Sequence, residues 1–408
     1  MEMSSSLNED RPRTWLIDTK EDQEPDPSKC CIYRVPESIR KGNAEAYTPK
    51  MFSIGPFHNG KDKIKDMEEK KWRYVKDLCD RTTPEKFDEI FNFIKDQEQT
   101  IRKSYSEDCK LESRAYVKMI LRDAIFIIEV LIKDFERDGS DILLRIPAQR
   151  YALKSDLLLM ENQLPYFLLE GLYELVASRP SFIDICIKFF RFRKFAGSVR
   201  DKKKFKHFTD LQRAILVEKF PAHEIDHEDD DVYIPCATKL HESGVKFKLA
   251  PRRECPLVIR FEEGELTIPE LIVNHETDTK FRNIMALEQC CYPNRTIVCD
   301  YVLLLGSLIE DKRDAQLLVD KEIIWNEMGD SKALANLFNK IAIEIPLAGN
   351  HYNKIYQDLR AYHDDPYNQN CAKLKRMYFS DIWRGTATVA AAVLLILTFI
   401  QTMSSVMR

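Results

Sequence analysis

The chain has 408 residues and 44% of them are hydrophobic, so it can bury a sizeable core, and its length suggests two or three units. Lys and Arg number 62 against 66 Asp and Glu, and the net charge of -4 excludes a global attraction to nucleic acid or acidic lipid. The 11 cysteines form no CxxC motif and no even ladder of spacings, which excludes a secreted disulfide framework and a recognisable zinc site.

The amino-terminal part divides into a polar leader and a helical lobe. Residues 1–28 are acidic and proline-bearing, and we expect them to be disordered. Residues 29–190 predict a helical lobe, in which Thr83 and Pro84 form a helix cap and first turn. The nearly all-apolar stretch 115–135 predicts a central buried helix. Its Asp123 and Glu129 fall on different faces, which indicates separate partners and not an acid pair.

A second helical stretch, 156–177, is interrupted by Pro165, which must kink or restart the helix. Glu161, Asn162 and Gln163 lie just before that proline. We predict that these side chains bond to the backbone groups that the interruption leaves unpaired, and the alternative is a ligand pocket built on them.

Residues 191–232 change composition abruptly and predict a charged, exposed connection between two lobes. The basic segment 188–208 interleaves cations with phenylalanines, which suits an anionic membrane surface. The candidate lipid contacts are Lys202, Lys203, Lys204 and Lys206. The plainer interpretation is that the phenylalanines pack and the lysines are solvated. A protein partner is a further alternative, and no nucleic acid is expected.

The string HEIDH at 223–227 matches HExxH, in which His223 and His227 would bind zinc and Glu224 would activate water. Pro221 precedes the string and an acidic run follows it, so no apolar face holds a rigid helix there. A solvated acidic loop is the preferred interpretation, and a metal-dependent hydrolase is the alternative.

Residues 233–379 predict a carboxy-terminal lobe. After a short helix at 237–243, alternating apolar residues around the Glu263-Gly264 turn predict a small antiparallel hairpin or three-stranded sheet. Helices are expected at 278–290, 299–310, 314–328 and 332–343. Asn283 and Glu288 in the first of these are expected to pin the structure, as the polar trio does.

The end of the chain predicts a membrane anchor over 380–404, because 385–407 lacks any charged side chain. Basic residues before the anchor favour a tail-anchored, single-pass protein with a cytosolic body, at an endomembrane or the plasma membrane. Small groups spaced four apart could let two anchors pack, and these are Ala387, Thr388, Ala391 and Ala392. Asn294 is a glycosylation acceptor only if the body is lumenal.

Strings along almost the whole chain resemble the plant family called domain of unknown function 247. They include IYRVPESIR, YTPKMFSIGPFHNG, DMEEKKWRYV, MILRDAIFIIEVL, DLLLMENQLPYFLLEGLY, IPCATKLHESGVKFK and LTIPELIVNHETDTKFRNIMALEQC. The resemblance implies a mostly helical plant membrane protein with a carboxy-terminal span, and no reaction, cofactor or catalytic residue. Some grass relatives are implicated in self-incompatibility, which suggests recognition or signalling.

Together these features predict a mainly α protein in two lobes with a small sheet and one carboxy-terminal transmembrane helix. The expected function is non-enzymatic recognition through contacts with an unidentified protein, beside a bilayer held by the anchor. No cofactor or metal is expected. The alternatives are the HEIDH hydrolase and a module that binds anionic lipid headgroups through 188–208.

Overall fold

The structure is a computed structural model that describes residues 29–60, 65–177, 179–192, 204–221, 233–251, 255–343, 350–378 and 382–407. The described residues are mainly helical and carry two small sheets. The predicted disordered leader, 1–28, lies outside them.

The amino-terminal half is helical, as predicted. Its helices are α1 (Glu37–Arg40), α2 (Lys65–Arg81), α3 (Pro84–Asp96), α4 (Glu98–Lys103), α5 (Ser113–Glu136), α6 (Ile142–Arg145), α7 (Pro147–Asp156), α8 (Tyr166–Val176) and α9 (Phe182–Phe190). The Thr83 hydroxyl caps α3 by accepting from the Lys86 amide at 3.3 Å. Helix α5 is the predicted central helix, because its apolar residues are buried nearly all round.

The carboxy-terminal half contains more helices and all five strands. Its elements are α10 (Phe208–Val217), α11 (Ala237–Glu242), β1 (Lys246–Leu249), β2 (Arg260–Glu262), β3 (Glu265–Ile268), β4 (Leu271–Val273), α12 (Thr277–Cys291), α13 (Ile297–Leu308), α14 (Lys312–Asp320), β5 (Ile324–Asn326), α15 (Ser331–Ala342), α16 (Asn353–Asp364), α17 (Pro366–Tyr378) and α18 (Ile382–Val406). Helix α10 lies inside the predicted exposed connection, yet most of its residues are buried.

The first sheet has the order β1-β3-β2. The antiparallel hairpin of β2 and β3 turns at Glu263 and Gly264, both at positive φ, as predicted. The predicted antiparallel hairpin and three-stranded sheet are therefore both present, and the third strand, β1, runs parallel to β3. This parallel pairing arises because β2 occupies the far edge, and the chain returns from it into β3 in the direction of β1.

A second, two-stranded parallel sheet joins β4 to β5. The sequence predicts a continuous helix over 314–328 where this strand lies. That helix ends at Asp320, because the chain turns at Glu322, whose φ is 59°, and then becomes extended over Ile324–Asn326. The prediction is therefore correct for α14 and wrong for its second half.

Three clusters of buried apolar side chains make up the core. One gathers residues between 31 and 214, and a second gathers residues between 217 and 359. A smaller cluster unites Val35, Tyr47 and Met160 with Ala286 and Leu287 of α12, so it joins the two halves. The domain borders drawn from the sequence stay predictions.

The carboxy-terminal helix α18 corrects the sequence analysis. Within the described ranges, no helix combines the length and the apolar character needed to cross a bilayer. Thr398, Gln401 and Thr402 interrupt the apolar run of α18, and two hydroxyls bond to carbonyls one turn back, at Leu394 and Thr398. The predictions of a transmembrane anchor and of a tail-anchored, single-pass membrane protein are therefore wrong.

The predicted packing of two anchors through small residues assumed a transmembrane helix, which the described residues do not contain. Ala391 is exposed on α18. The side chains of Ala387, Thr388 and Ala392 lie outside the described part of the chain. The predicted bilayer contact through this helix rested on the same anchor.

His207 at the start of α10 makes the fold sensitive to acid. Its Nδ1 accepts from the Asp210 amide at 3.4 Å, and its Nε2 lies 3.1 Å from the Cys31 carbonyl oxygen. The neutral ring with its proton on Nε2 satisfies both contacts. Burial lowers the pKa of His207 to about 4, and the charge of Asp210 opposes this shift.

We predict that this histidine destabilises the fold as pH falls. The unfolded chain takes up the proton near pH 6.5, whereas folded His207 does not until about pH 4. Stability is therefore lost across that window, by roughly 3 kcal/mol in full. His207→Asn keeps a helix-capping side chain without titrating, so its urea midpoint should fall less steeply with pH. Exposed His275→Asn is the control. Equal pH profiles for wild type and His207→Asn would contradict the assignment.

Candidate functional site

The polar trio before Pro165 serves the structure, as predicted. Asn162 accepts from the Ile54 amide at 2.7 Å and donates to the Phe52 and Asp156 carbonyls, both at 2.9 Å. The neighbouring Gln163 donates to the carbonyls of Leu157 and Leu159, both at 2.7 Å. These bonds satisfy the non-helical backbone between α7 and α8 and fix the segment around 52–54 against it.

Glu161, the first of the trio, is a buried ionic hub. It accepts from the Val35 amide at 2.8 Å and forms ion pairs with Arg40 and with His58, whose Nε2 lies 3.0 Å away. Burial acts to raise the pKa of Glu161, but the hydrogen bonds and charges of these partners outweigh burial. The pKa of Glu161 is therefore lowered. The carboxylate thus holds the amino-terminal segment in place.

Asn283 and Glu288 in α12 also pin the structure, as predicted. Asn283 accepts from the Met160 amide at 2.8 Å and donates to the Ala46 carbonyl at 2.7 Å. Glu288 pairs with Arg213 Nε at 2.8 Å. Helix α12 is therefore bonded to both halves of the chain.

Asp123 and Glu129 have separate partners, as predicted from their spacing. Asp123 Oδ1 lies 2.8 Å from Lys71 Nζ, and Glu129 pairs with Arg81 at the other end of α2. The two acids fasten α5 to α2 at two points.

The adjacent cysteine pairs of the sequence come together in space, although they are 260 positions apart. Cys291 Sγ lies 3.6 Å from the Cys31 carbonyl oxygen. Burial raises the pKa of Cys31 and of Cys291 to about 12, and it also raises the pKa of Cys30 and Cys290. Thiols held protonated are poor nucleophiles and poor metal ligands, so this cluster serves packing.

The basic segment divides between core and solvent. Phe189, Phe190, Phe205 and Phe208 are buried in the first core, which removes them from any contact with lipid. The Lys206 ammonium lies 4.8 Å from the centre of the Tyr292 ring, and Lys204 is exposed. Lys202 and Lys203 lie outside the described residues. The lipid-contact prediction for these lysines is not tested by the structure.

Two further motifs have no structural support for chemistry. The HEIDH string, with His223 and His227, lies outside the described residues, and no group of three His, Cys, Asp or Glu suited to a metal occurs among those described. Asn294 is exposed in a turn between α12 and α13, and its use as a glycosylation acceptor stays a prediction.

A cavity of about 760 Å³ is lined by His351, which with Asp300 forms the pair that most resembles catalytic machinery. His351 Nδ1 lies 2.6 Å from Asp300 Oδ2, and that oxygen also accepts from the His351 amide at 2.9 Å. No described residue that lines this cavity is a serine, threonine or cysteine. The pair therefore orders the chain before α16, and the described lining of this cavity offers it no hydroxyl or thiol to activate.

The candidate site is an exposed surface beside the second sheet. Ile272 of β4 and Trp325 of β5 are register partners, so their side chains stand next to each other on one face. Ile272 is 54% exposed and Trp325 is 62% exposed, and Tyr151 of α7 is 51% exposed. Large apolar groups left this open are typical of interaction sites when they cluster.

Polar contacts fix this surface. The Tyr151 hydroxyl bonds to Glu276, and burial together with that carboxylate raises the pKa of Tyr151 to about 12. Asn274 Nδ2 lies 3.5 Å from Glu327 Oε2, which links the two strands at their ends. We call the following set the β4–β5 surface: Tyr151, Ile272, Asn274, Glu276, Trp325 and Glu327.

A groove of about 320 Å³ opens beside the β4–β5 surface, between α7, α10 and α12. Leu158, Leu159 and Ile272 supply its apolar wall, and Lys280 is its cation. Gln212 also lines it and is 7% exposed, and its Oε1 has no hydrogen-bond donor among the described residues. A buried acceptor of this kind favours a ligand that brings an N–H or O–H group.

The loops around the β4–β5 surface are acidic. Residues 270–276 and 320–330 contain one lysine, Lys321, against six carboxylates. These are Glu270, Glu276, Asp320, Glu322, Glu327 and Asp330. The neighbourhood therefore carries a negative field that a basic partner would neutralise.

This surface is not predicted from the sequence, because Trp325 falls within the predicted helix 314–328. A signal was present in the run Ile323-Ile324-Trp325, since β-branched and aromatic residues in succession favour a strand. The exposed Trp itself could not be found from the sequence, because its partner Ile272 is distant along the chain.

A protein family and two curated proteins match almost the whole chain. The profile of the DUF247 family, described as plant protein of unknown function, matches residues 32–397. UPF0481 protein At3g47200 of Arabidopsis thaliana is 28% identical over 406 residues, covering 91% of this chain and 85% of that protein. A second UPF0481 protein of that plant, At3g02645, is 19% identical, covering 92% and 90%. No solved structure matches the chain.

The family profile covers most of the two cores and all five strands. It also covers Tyr151, Ile272 and Trp325, so the candidate surface lies within the matched region. The chain belongs to the plant DUF247 family.

Proposed function

We propose that this chain recognises another protein through the β4–β5 surface. The observation that carries the proposal is the register pair of Ile272 and Trp325, both more than half exposed on one face. Tryptophan is among the residue types enriched in the side chains that dominate binding energy at interfaces. Burying such a side chain against a partner typically contributes about 2 kcal/mol or more.

Charge complementarity identifies the kind of partner. The segments 270–276 and 320–330, which contain the apolar pair, carry six carboxylates and one lysine, so a partner segment with Lys or Arg beside an apolar side chain fits this surface. The unpaired Oε1 of Gln212 in the adjoining groove accepts one further hydrogen bond, which an N–H group of that segment can donate. We therefore infer a partner that presents a basic, apolar polypeptide segment.

A binding role is supported over a catalytic one by the state of the buried acids. Asp123, Glu161 and Glu288 are each paired with a cation or a backbone amide that the fold itself requires. Their charges are thus committed to stability. The open chemical groups lie instead on the β4–β5 surface, where aromatic and carboxylate side chains suit association.

We predict that Trp325→Ala weakens partner binding by about thirtyfold, corresponding to about 2 kcal/mol. The full chain is used to select peptides from a random display library, and the affinity of the selected peptides is measured by fluorescence anisotropy. Selected peptides should be rich in Lys or Arg next to an apolar residue. Their binding should weaken with rising salt, because the complementary charges are screened.

Tyr233→Ala is the matched control, since Tyr233 is 65% exposed and lies away from the β4–β5 surface in sequence. This variant should bind the selected peptides as wild type does. Glu327→Lys should weaken the binding of the selected peptides at low salt, because it replaces a negative charge of the β4–β5 surface with a positive one. Selection of acidic peptides, or equal binding by wild type and Trp325→Ala, would reject the proposal.

A further inference from the structure

A second cavity, of about 420 Å³, is strongly basic. It opens where the carboxy-terminal ends of α5 and α9 meet the segment that carries α6 and α7. Two carboxylates, Asp134 and Asp138, line it. They face six cations, which are Lys133, Arg137, Arg145, Arg150, Lys188 and Arg191.

Both acids are already engaged within the fold. Asp134 Oδ1 lies 2.5 Å from Arg150 Nη2. Asp138 accepts from the amide and the hydroxyl of Ser140, at 2.9 and 2.6 Å. The carboxylates in the cavity therefore offset one of the six positive charges directly.

Both lysines of the cavity also have local partners. Lys133 Nζ lies 2.7 Å from Asp77 Oδ2. Lys188 Nζ lies 3.1 Å from the Phe135 carbonyl oxygen and 3.8 Å from the centre of the Phe135 ring. Such contacts are those expected of cations near a helix end, where the carbonyl groups attract positive charge.

The remaining three guanidinium groups are different. Among the described residues, no ion pair joins Arg137, Arg145 or Arg191 to a carboxylate, although all three line the cavity. A cation or two at a helix end would be explained by the helix dipole alone. The helix dipole does not account for three guanidinium groups around one cavity that have no ion pair among the described residues.

Burial and the positive charges around the cavity lower the pKa of the neighbouring Lys154. Burial, together with the charges of Arg150 and Arg191, lowers the pKa of Lys154 to about 8, and Asp134 only partly opposes them. Lys154 is held at this position by the Phe189 carbonyl and ring. The cations around the cavity thus repel one another, and a bound anion would relieve that repulsion.

Two of these arginines also occupy backbone positions that favour glycine. Arg137 ends α5 at a φ of 60°, and Arg191 ends α9 at a φ of 56°. A residue in this left-handed conformation closes a helix, and glycine adopts it without steric cost. Arginine at both positions has no advantage for the backbone, whereas it places two guanidinium groups at the same cavity.

We propose that this cavity binds a compact anion bearing several phosphate groups, and that Arg137, Arg145 and Arg191 are its principal ligands. Guanidinium groups bind phosphate oxygens in pairs, which makes arginine the preferred residue for such ligands. The volume is within the usual range for small-molecule sites and exceeds what a single phosphate needs. The same chemistry is found in a soluble polyphosphate and in a phosphorylated lipid headgroup.

The test uses the full chain and two probes. Inositol hexakisphosphate is titrated by calorimetry at roughly physiological ionic strength, about 0.15 M. Phosphatidylcholine vesicles with and without phosphatidylinositol bisphosphate are used for co-sedimentation. Wild type should bind at least one probe, and the probe that it binds identifies the source of the anion.

The decisive variant is Arg137→Gly/Arg191→Gly. It should lower the affinity for the bound probe by at least about tenfold, since two bidentate contacts are lost. Its Tm should be unchanged or higher, because glycine suits both backbone positions. A fall in affinity without a fall in Tm separates ligand binding from a structural role.

Arg73→Gln/Arg114→Gln is the matched control, because both arginines are exposed outside the cavity and the net charge changes equally. This control should bind as wild type does. Absence of binding to either probe would overturn the proposal. So would equal loss of affinity in the control, which would indicate bulk charge, or unchanged affinity in the glycine variant.

Discussion

Replacing Lys71 by methionine should lower the free energy of unfolding by about 3 to 5 kcal/mol. Lys71 is fully buried in α2, and its ammonium lies 2.8 Å from Asp123 Oδ1 and 2.7 Å from Glu68 Oε1. It also donates to the Ser53 carbonyl. Methionine fills similar space but removes the closest cation of Asp123, which is 0% exposed and keeps only the longer contact with Arg122, at 3.1 Å.

A double variant distinguishes the lost charge balance from lost packing. Asp123 Oδ2 accepts from the Gly55 amide at 3.0 Å, and the amide oxygen of asparagine can keep that bond. Lys71→Met/Asp123→Asn should therefore regain about 1 to 2 kcal/mol relative to Lys71→Met. Urea denaturation followed by circular dichroism measures both variants. The neighbouring exposed lysine provides the control, Lys70→Met, which should change little. A double variant less stable than the single one would contradict the charge argument.

Features set by neighbouring residues could be predicted from the sequence. The cap of α3 depends on Thr83 and on amides three residues away, and the helical period of α5 depends on side chains within a few turns. The trio before Pro165 could be assigned a structural role because the proline necessarily leaves polar backbone groups nearby. In each case the deciding interaction is local, so the pattern in the sequence contains it.

Features that depend on distant partners could not be predicted in the same way. Strand β5 pairs with β4, which precedes it by about fifty positions, and this pairing overrides the helical spacing of 314–328. The basic cavity combines residues from three separate stretches, of which only Lys188 and Arg191 lie in the basic segment that the sequence singles out. The anchor prediction was wrong because it rested on the absence of charge, whereas hydroxyl and amide groups also reduce the apolar character of α18.

Arg213 should be as important at the junction of α10, α12 and α13 as Lys71 is in the first core. Its Nε lies 2.8 Å from Glu288 Oε1, and its Nη2 donates to the Arg295 carbonyl at 2.7 Å. The other carboxylate oxygen of Glu288 accepts from the amides of Val298 and Cys299, at 2.9 and 3.0 Å. Glu288 thus satisfies the open amides at the start of α13, and Arg213 neutralises it.

We expect Arg213→Met to lower the free energy of unfolding by about 3 to 5 kcal/mol near neutral pH, because it leaves Glu288 buried and unpaired. Burial already raises the pKa of Glu288, and Arg213 opposes that shift, so the variant should raise this pKa further. A group whose pKa is higher in the folded state contributes stability below its unfolded pKa and loses it as pH rises.

The deficit of Arg213→Met should therefore be smaller at about pH 5 than at about pH 8, with a slope of at most about 1.4 kcal/mol per pH unit. Urea denaturation across this range measures the difference. Lys219→Met, an exposed lysine just after α10, should show no such slope. Arg213→Met/Glu288→Gln should lose the pH dependence as well, because the titrating group is gone. A deficit in Arg213→Met that is the same at both pH values would show that packing against Tyr292, whose ring centre lies 4.0 Å from the guanidinium, dominates instead of charge.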